Sequence, residues 1–127
     1  NIVICDRYID STYAYQIDAQ KVEKKYFNML NKIVVKKVMP EITFLIDVDP
    51  KIGIQRSLKR KKNSDIKFEN YNLSFHKKIR KSFLKLSKSE KRIIVIDGNQ
   101  KIKDIHKSII NKLNNMKKFK KKISCFL

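Results

Sequence analysis

Within eleven residues near the start of the chain, DRYIDSTYAYQ at positions 6–16, the sequence collects a guanidinium, two carboxylates, two hydroxyls, three phenols and an amide. Arg7 carries a planar fork that matches phosphate oxygens in a bidentate way that lysine cannot. Ser11, Thr12 and Gln16 supply hydroxyl and amide groups that hydrogen-bond a sugar or a base. Together these residue types imply a site for a phosphorylated nucleoside. The run before them, Ile2, Val3, Ile4 and Cys5, has the composition of a buried central strand in a parallel sheet. In open α/β sheets ligands gather beyond the carboxyl ends of such strands, so Asp6 and Arg7 stand where chemistry is expected.

The elements that must position this segment alternate in the βαβα manner. Val22, Tyr26, Met29, Leu30, Ile33 and Val38 recur at helical spacing and predict one long amphipathic helix over 20–38, which Pro40 ends. A second buried strand is predicted over 42–48. Asp49 and Pro50 then supply an N-cap and a proline at the first helical position, and Ile52, Ile54 and Leu58 continue the helix. From 56 to 69 the apolar pattern lapses into a basic connection. Phe75, Ile79, Phe83 and Leu86 mark a further helix, 93–97 a third strand, and Ile102, Ile105, Ile109, Leu113 and Met116 a last helix. Three buried strands joined by helices imply a parallel sheet covered on both faces. Because a buried strand begins at residue 2, the expectation is that the chain is the C-terminal part of a single larger domain, with a basic tail at 117–127.

The 127 residues hold 31 Lys and Arg against 12 Asp and Glu, a formal charge of +19. Such a balance raises nucleic acid as a partner. Lysine heavily outnumbers arginine, however, and Ile and Asn are abundant, which is the pattern that AT-rich coding leaves. The lysines are spread along helical surfaces with no zinc-finger, RRM or KH signature beside them, so a solvated surface is the simpler reading; the same field also attracts nucleotides. Two cysteines, Cys5 and Cys125, are too few for a disulfide framework or a zinc site. With no signal peptide and no run of membrane-spanning length, a reducing, cytoplasmic setting without a membrane partner is expected.

Taken in order, DRYIDSTYAYQ, then MPEITFLIDVDP at 39–50, then a basic segment ending in KFE at 67–69, then IIVIDGNQ at 93–100, the motifs resemble the thymidylate kinase family of bacterial type. The resemblance runs from residue 1 to about residue 113. It implies a P-loop nucleoside monophosphate kinase fold, three-layered αβα around a parallel sheet, of which this chain is the C-terminal portion. It also implies transfer of the γ-phosphoryl of ATP to dTMP with Mg2+, giving dTDP on the route to dTTP, by a homodimer in which the long helix at 20–38 supplies the dimer face.

Carried over to this chain, the resemblance gives Arg7 the dTMP phosphate and sets Asp6 beside Mg2+ and the transfer centre, or else leaves Asp6 to orient Arg7. Ser11, Thr12 and Gln16 would line the dTMP pocket, with Thr12 and Gln16 at the base; Ser11 alternatively caps a helix. Tyr15 would pack beneath the sugar and exclude a ribose 2′-hydroxyl, with Tyr8 and Tyr13 as core or pocket wall. Residues 56–69 resemble the lid over ATP, in which Arg60 is the first choice for the cation that meets the transferred phosphoryl. Lys67 stands where the family often has arginine, and Arg56 either stacks on adenine or lies on a helix surface. Gly98, Asn99 and Gln100, after Asp97, match the adenine loop, with Gly98 permitting close backbone approach; the alternative is an ordinary turn with Asn99 as cap.

One family element does not occur in these residues. No GxxxxGK[ST] is found, and the only glycines are Gly53 and Gly98. The expectation is that a phosphate cradle lies outside these residues and that the isolated chain is inactive. Two other functions fit part of the pattern: another deoxynucleoside or nucleotide kinase, and a non-catalytic basic module that binds nucleic acid.

Overall fold

A computed structural model of the protein describes residues 2–35, 38–60 and 72–116. The chain opens with α1 (Ile9–Thr12), which widens without a break into a π-helical segment (Tyr13–Ala19). It continues through α2 (Lys24–Leu30), a second π-helical segment (Asn31–Val35), β1 (Thr43–Asp47), α3 (Pro50–Arg60), α4 (Leu73–Ser89), β2 (Ile93–Asp97) and α5 (Ile102–Asn114). β1 and β2 are parallel and paired in register from Thr43 with Ile93 to Asp47 with Asp97. The α/β class expected from the sequence is therefore present.

Local chemistry explains most boundaries. α3 starts where Asp49 and Pro50 predict: Asp49 Oδ1 accepts the Lys51 amide at 2.9 Å, and proline occupies the first turn, where its missing N–H costs nothing. α4 is capped by Asn72, whose Oδ1 accepts the Phe75 amide at 3.0 Å. β2 spans the predicted 93–97, and β1 is one residue shorter at each end than 42–48. The buried hydrophobic side chains among the described residues, Ala14, Ile79, Ile93 and Ile96, come from the π-helical segment, α4 and β2, so the core lies where helix 9–19 packs on α4 and α4 packs on the strands.

Two expectations are corrected. Residues 2–5 form no strand: the sheet of the described residues has two strands, and Val3 and Ile4 are 89% and 91% exposed. An apolar run states what a segment tends to bury, while a strand also needs a neighbour to complete its hydrogen bonds, and none pairs with 2–5 among the described residues. Ile46 and Val95, on opposite faces of the two strands, are each about half exposed. Finally, the helix over 20–38 is not continuous. The amides of Gln20 and Val22 bond back to the carbonyls of Tyr15 and Gln16, and Lys21 takes a left-handed backbone (φ 65°), which stops one helix before α2 starts. Its apolar side chains Tyr26, Met29, Leu30 and Ile33 remain exposed.

Candidate active site

Helix 9–19 presents two stripes one residue apart. Asp10 and Ala14, four residues apart, face inward and are buried. Ser11 and Tyr15 follow them on the next stripe, and Arg7 is brought onto it by its backbone. Arg7 has φ 63°, a left-handed conformation uncommon for a side-chain-bearing residue and costing of order 1 kcal/mol. Its side chain folds back along the helix: Nε donates to Ser11 Oγ at 3.2 Å, and the guanidinium carbon lies 4.7 Å from the centroid of the Tyr15 ring. Tyr15 in turn meets Phe75 of α4 edge-on, with centroids 6.3 Å apart. Arg7 and Ser11, marked by their residue types, and Tyr15, marked by the family resemblance, thus form one contiguous group resting on α4.

The rest of DRYIDSTYAYQ divides by exposure. Asp6 and Thr12 are exposed, and Gln16 is half-buried within the π-helical segment. Such widened turns occur disproportionately at functional sites because they re-aim side chains that an α-helix would place elsewhere. Ser11 is not a helix cap, since the N-cap position of α1 is Tyr8 and the Ser11 hydroxyl is engaged by Arg7. Tyr13 packs edge-on against Phe27 at 5.2 Å, and Tyr8 donates its hydroxyl proton to the Val38 carbonyl at 2.8 Å; both rings are half-buried.

A second group forms at the carboxyl end of β2. Arg56 of α3 donates from Nη1 to the Gly98 carbonyl at 2.7 Å and from Nη2 toward the Asn99 carbonyl at 3.5 Å, which brings the root of the basic segment onto the loop that follows the strand. Asp97 Oδ1 accepts the Asn99 amide and Nδ2, each at 2.9 Å. The Asn99 backbone bond, with help from the Asn99 and Gln100 side chains and the charge of Arg56, holds the Asp97 carboxyl below the usual carboxylate range. Asn99 is not a helix cap, a position Lys101 fills without a side-chain bond. The fold itself also requires glycine at 98. A Cβ there would collide with Val48 Cγ2 and lie 2.7 Å from Ile46 Cγ2, so the close approach is to the end of β1. Arg60 ends α3, and its side chain and Lys67 lie outside the described residues.

Two ion pairs went unread in the sequence. Arg80 of α4 grips Asp47 with Nε and Nη2 at 2.7 and 2.8 Å and reaches Asp49 at 3.5 Å. That pair walls a cavity of about 350 Å³ between β1, α3 and α4, lined also by Ser57 and His76, whose Nε2 is buried without a hydrogen-bond partner among the described residues. Arg92 grips Asp10 with Nη1 and Nη2 at 2.8 and 2.6 Å. Their Asp partners push both guanidinium groups further up. A signal for both was available: only five of the 31 basic residues are arginines (Arg7, Arg56, Arg60, Arg80 and Arg92). Each of the four whose side chains are described makes hydrogen bonds through its guanidinium.

The sequence model of the family described as thymidylate kinase matches residues 1–109. The chain belongs to the thymidylate kinase family. Curated relatives agree. A protein named thymidylate kinase from aster yellows witches'-broom phytoplasma (strain AYWB) is 43% identical over 117 residues, covering 91% of this chain and 56% of the relative. One from Sulfurihydrogenibium sp. (strain YO3AOP1) is 43% identical over 113 residues, covering 88% and 53%, and one from Acholeplasma laidlawii (strain PG-8A) is 37% identical over 113 residues, covering 88% and 56%. The chain thus spans about half the length of the curated thymidylate kinases it matches. Among the described residues no helix is long and apolar enough to cross a membrane.

Proposed function

We propose that the whole protein phosphorylates dTMP to dTDP with ATP, in the synthesis of dTTP. Membership of the thymidylate kinase family supports the reading, and the observation that carries it is the Arg7, Ser11 and Tyr15 group. Fixing the guanidinium with one hydroxyl and one ring leaves little rotameric freedom to lose when a phosphate docks. Arg7 would hold the dTMP phosphate, Thr12 and Gln16 the base, and Tyr15 the underside of the sugar. A phosphate oxygen of dTMP would attack the γ-phosphorus, and the bond to ADP breaks as the new P–O bond forms. Arg56, Gly98, Asn99 and Gln100 would line the adenine side, with Arg60 and Lys67 as lid cations that neutralise charge on the transferred group.

Among the described residues no cluster of three or more His, Cys, Asp or Glu can hold a metal. Mg2+ in kinases needs none, because substrate phosphates, water and one or two carboxylates complete its shell. An exposed carboxylate next to Arg7, as Asp6 provides, fits that mode. When bound, the ion neutralises phosphate oxygens. The exposed apolar face of α2 supports a homodimer, and the reaction is assigned to the cytoplasm.

Arg7→Ala and Arg7→Lys in the whole protein test the reading. Arg7→Ala is expected to raise the dTMP KM and lower kcat together, by about 100-fold in kcat/KM. Arg7→Lys is expected to recover only part of this, because lysine keeps the charge without the fork. Near-normal dTMP kinetics in Arg7→Ala would remove Arg7 from the site. Absence of dTMP-dependent ADP release by the wild-type protein would overturn the function.

A further inference from the structure

Helix 9–19 is held to the sheet by a link that lies one stripe behind the candidate dTMP-binding side chains. Asp10 is 8% exposed, and its carboxylate receives both terminal nitrogens of Arg92. Arg92 directly precedes β2, and its Nη1 also donates to Thr43 Oγ1 at 2.9 Å, where Thr43 is the first residue of β1. The backbone repeats the tie, since the Thr43 amide donates to the Arg92 carbonyl at 2.8 Å. One guanidinium therefore joins helix 9–19 to the amino-terminal ends of both strands.

Geometry makes this link directional. A two-point fork fixes the rotation of a carboxylate as well as its distance. Asp10 and Ser11 are consecutive, so fixing Asp10 inward fixes the angle at which Ser11, and four residues on Tyr15, leave the helix. Arg7 follows, because its Nε is bonded to Ser11 and its guanidinium lies over Tyr15. An apolar residue at 10 would bury equally well and would leave the helix free to roll.

We propose that Asp10 and Arg92, with Thr43, are positioning residues that set the rotation of helix 9–19 and so the presentation of Arg7, Ser11 and Tyr15 to dTMP. The inference rests on the functional reading above and adds to it a part of the protein that touches no substrate. Its chemistry is a buried, hydrogen-bonded ion pair whose loss misaims a binding face while the adenine side, built from Arg56 and residues 98–100, is left in place.

The test compares Asp10→Asn, Arg92→Lys and Thr43→Val in the whole protein, reading KM for dTMP and for ATP separately and amide exchange over 9–16 by mass spectrometry. Asp10→Asn is expected to raise the dTMP KM about tenfold or more, with the ATP KM within about twofold of wild type. Exchange over 9–16 should quicken while 93–97 stays protected. Arg92→Lys keeps the charge and loses the fork, and Thr43→Val removes a single bond, so smaller rises of about threefold are expected from each. A purely structural role would lower active yield and thermal midpoint and leave the ratio of the two KM values unchanged. That result, in whichever of the three variants folds, overturns the proposal. If the wild-type protein shows no dTMP binding by calorimetry, the functional reading fails and takes this one with it; dTMP binding that survives Asp10→Asn unchanged sinks the positioning role alone.

Discussion

Two arginine–aspartate forks sit at opposite ends of the same pair of strands. At the amino-terminal end Arg92 holds Asp10, with side chains 14% and 11% exposed; at the carboxyl end Arg80 holds Asp47, with side chains 37% and 20% exposed. Bond lengths hardly distinguish them. Burial does, because water screens the second pair and replaces it when it breaks, whereas a charge stranded at the first site has nowhere to go. The inner fork thus ties a helix rigidly to the sheet, while the outer one, which shares Arg80 with Asp49 and walls an open cavity, steadies the end of β1 at modest energy.

The largest effect should come from stranding the inner charge. Asp10→Ala in the whole protein is expected to lower the unfolding free energy by about 3 kcal/mol, from urea titration. A loss below about 1 kcal/mol, the range of an exposed pair, would erase the contrast. Arg80→Ala should cost about 1 kcal/mol by the same titration, after allowance for the exposure of the pair. A cost equal to that of Asp10→Ala would show that the two ends of the sheet are held equally and that burial does not separate the forks. Salt should then separate the two forks at finer resolution. Raising ionic strength from about 0.1 to 1 M shortens the screening length from about 10 to 3 Å. The penalty of Arg80→Ala should shrink, while that of Asp10→Ala holds.

Asp97, in register with Asp47 and fully exposed, extends the series to its weak limit. Its carboxyl is held below the usual range in the folded protein. The stabilisation it provides is therefore complete above the unfolded value near 4 and is lost as pH falls through the lower folded value. The thermal midpoints of wild type and Asp97→Asn should differ by a small, constant amount from about pH 8 to 5 and converge below about pH 4. A gap that widens in acid would reverse the assigned sign.

How much of this was legible in sequence depends on whether local or long-range physics decides. β2 and the start of α3 follow from composition, proline and capping chemistry within a few residues, and α4 and α5 were read from apolar spacing close to where they lie. Arg7 and Ser11 were marked by residue type and Tyr15 by the family resemblance; helical spacing stacks Ser11 and Tyr15, whereas the left-handed backbone that brings Arg7 to them was not legible. The strand at 2–5 and the single helix at 20–38 were misread for one reason: periodicity reports which side chains avoid water, and Lys21 interrupts the helix through a backbone angle that leaves no trace in hydrophobic pattern. The pairing of Asp10 with Arg92 spans 82 residues. Nothing local announces it, although the scarcity of arginine marked one of its partners. Arg56 was read as stacking on adenine or lying on a helix surface, and its bonds to the carbonyls of residues 98 and 99, 42 and 43 residues away, are likewise not announced by anything local.

The two glycines make a last contrast. Glycine codons are rich in G and C, so AT-rich coding, which the abundance of lysine, isoleucine and asparagine resembles, also disfavours glycine, and the 127 residues hold only two. At Gly53 a methyl group would meet nothing within 4 Å, whereas at Gly98 it would run into Val48 and Ile46. Mutational pressure therefore has a free path at the first position and a steric wall at the second, so that in sequences descended from this one residue 53 should wander while residue 98 stays fixed for as long as β1 and the loop after β2 remain in contact.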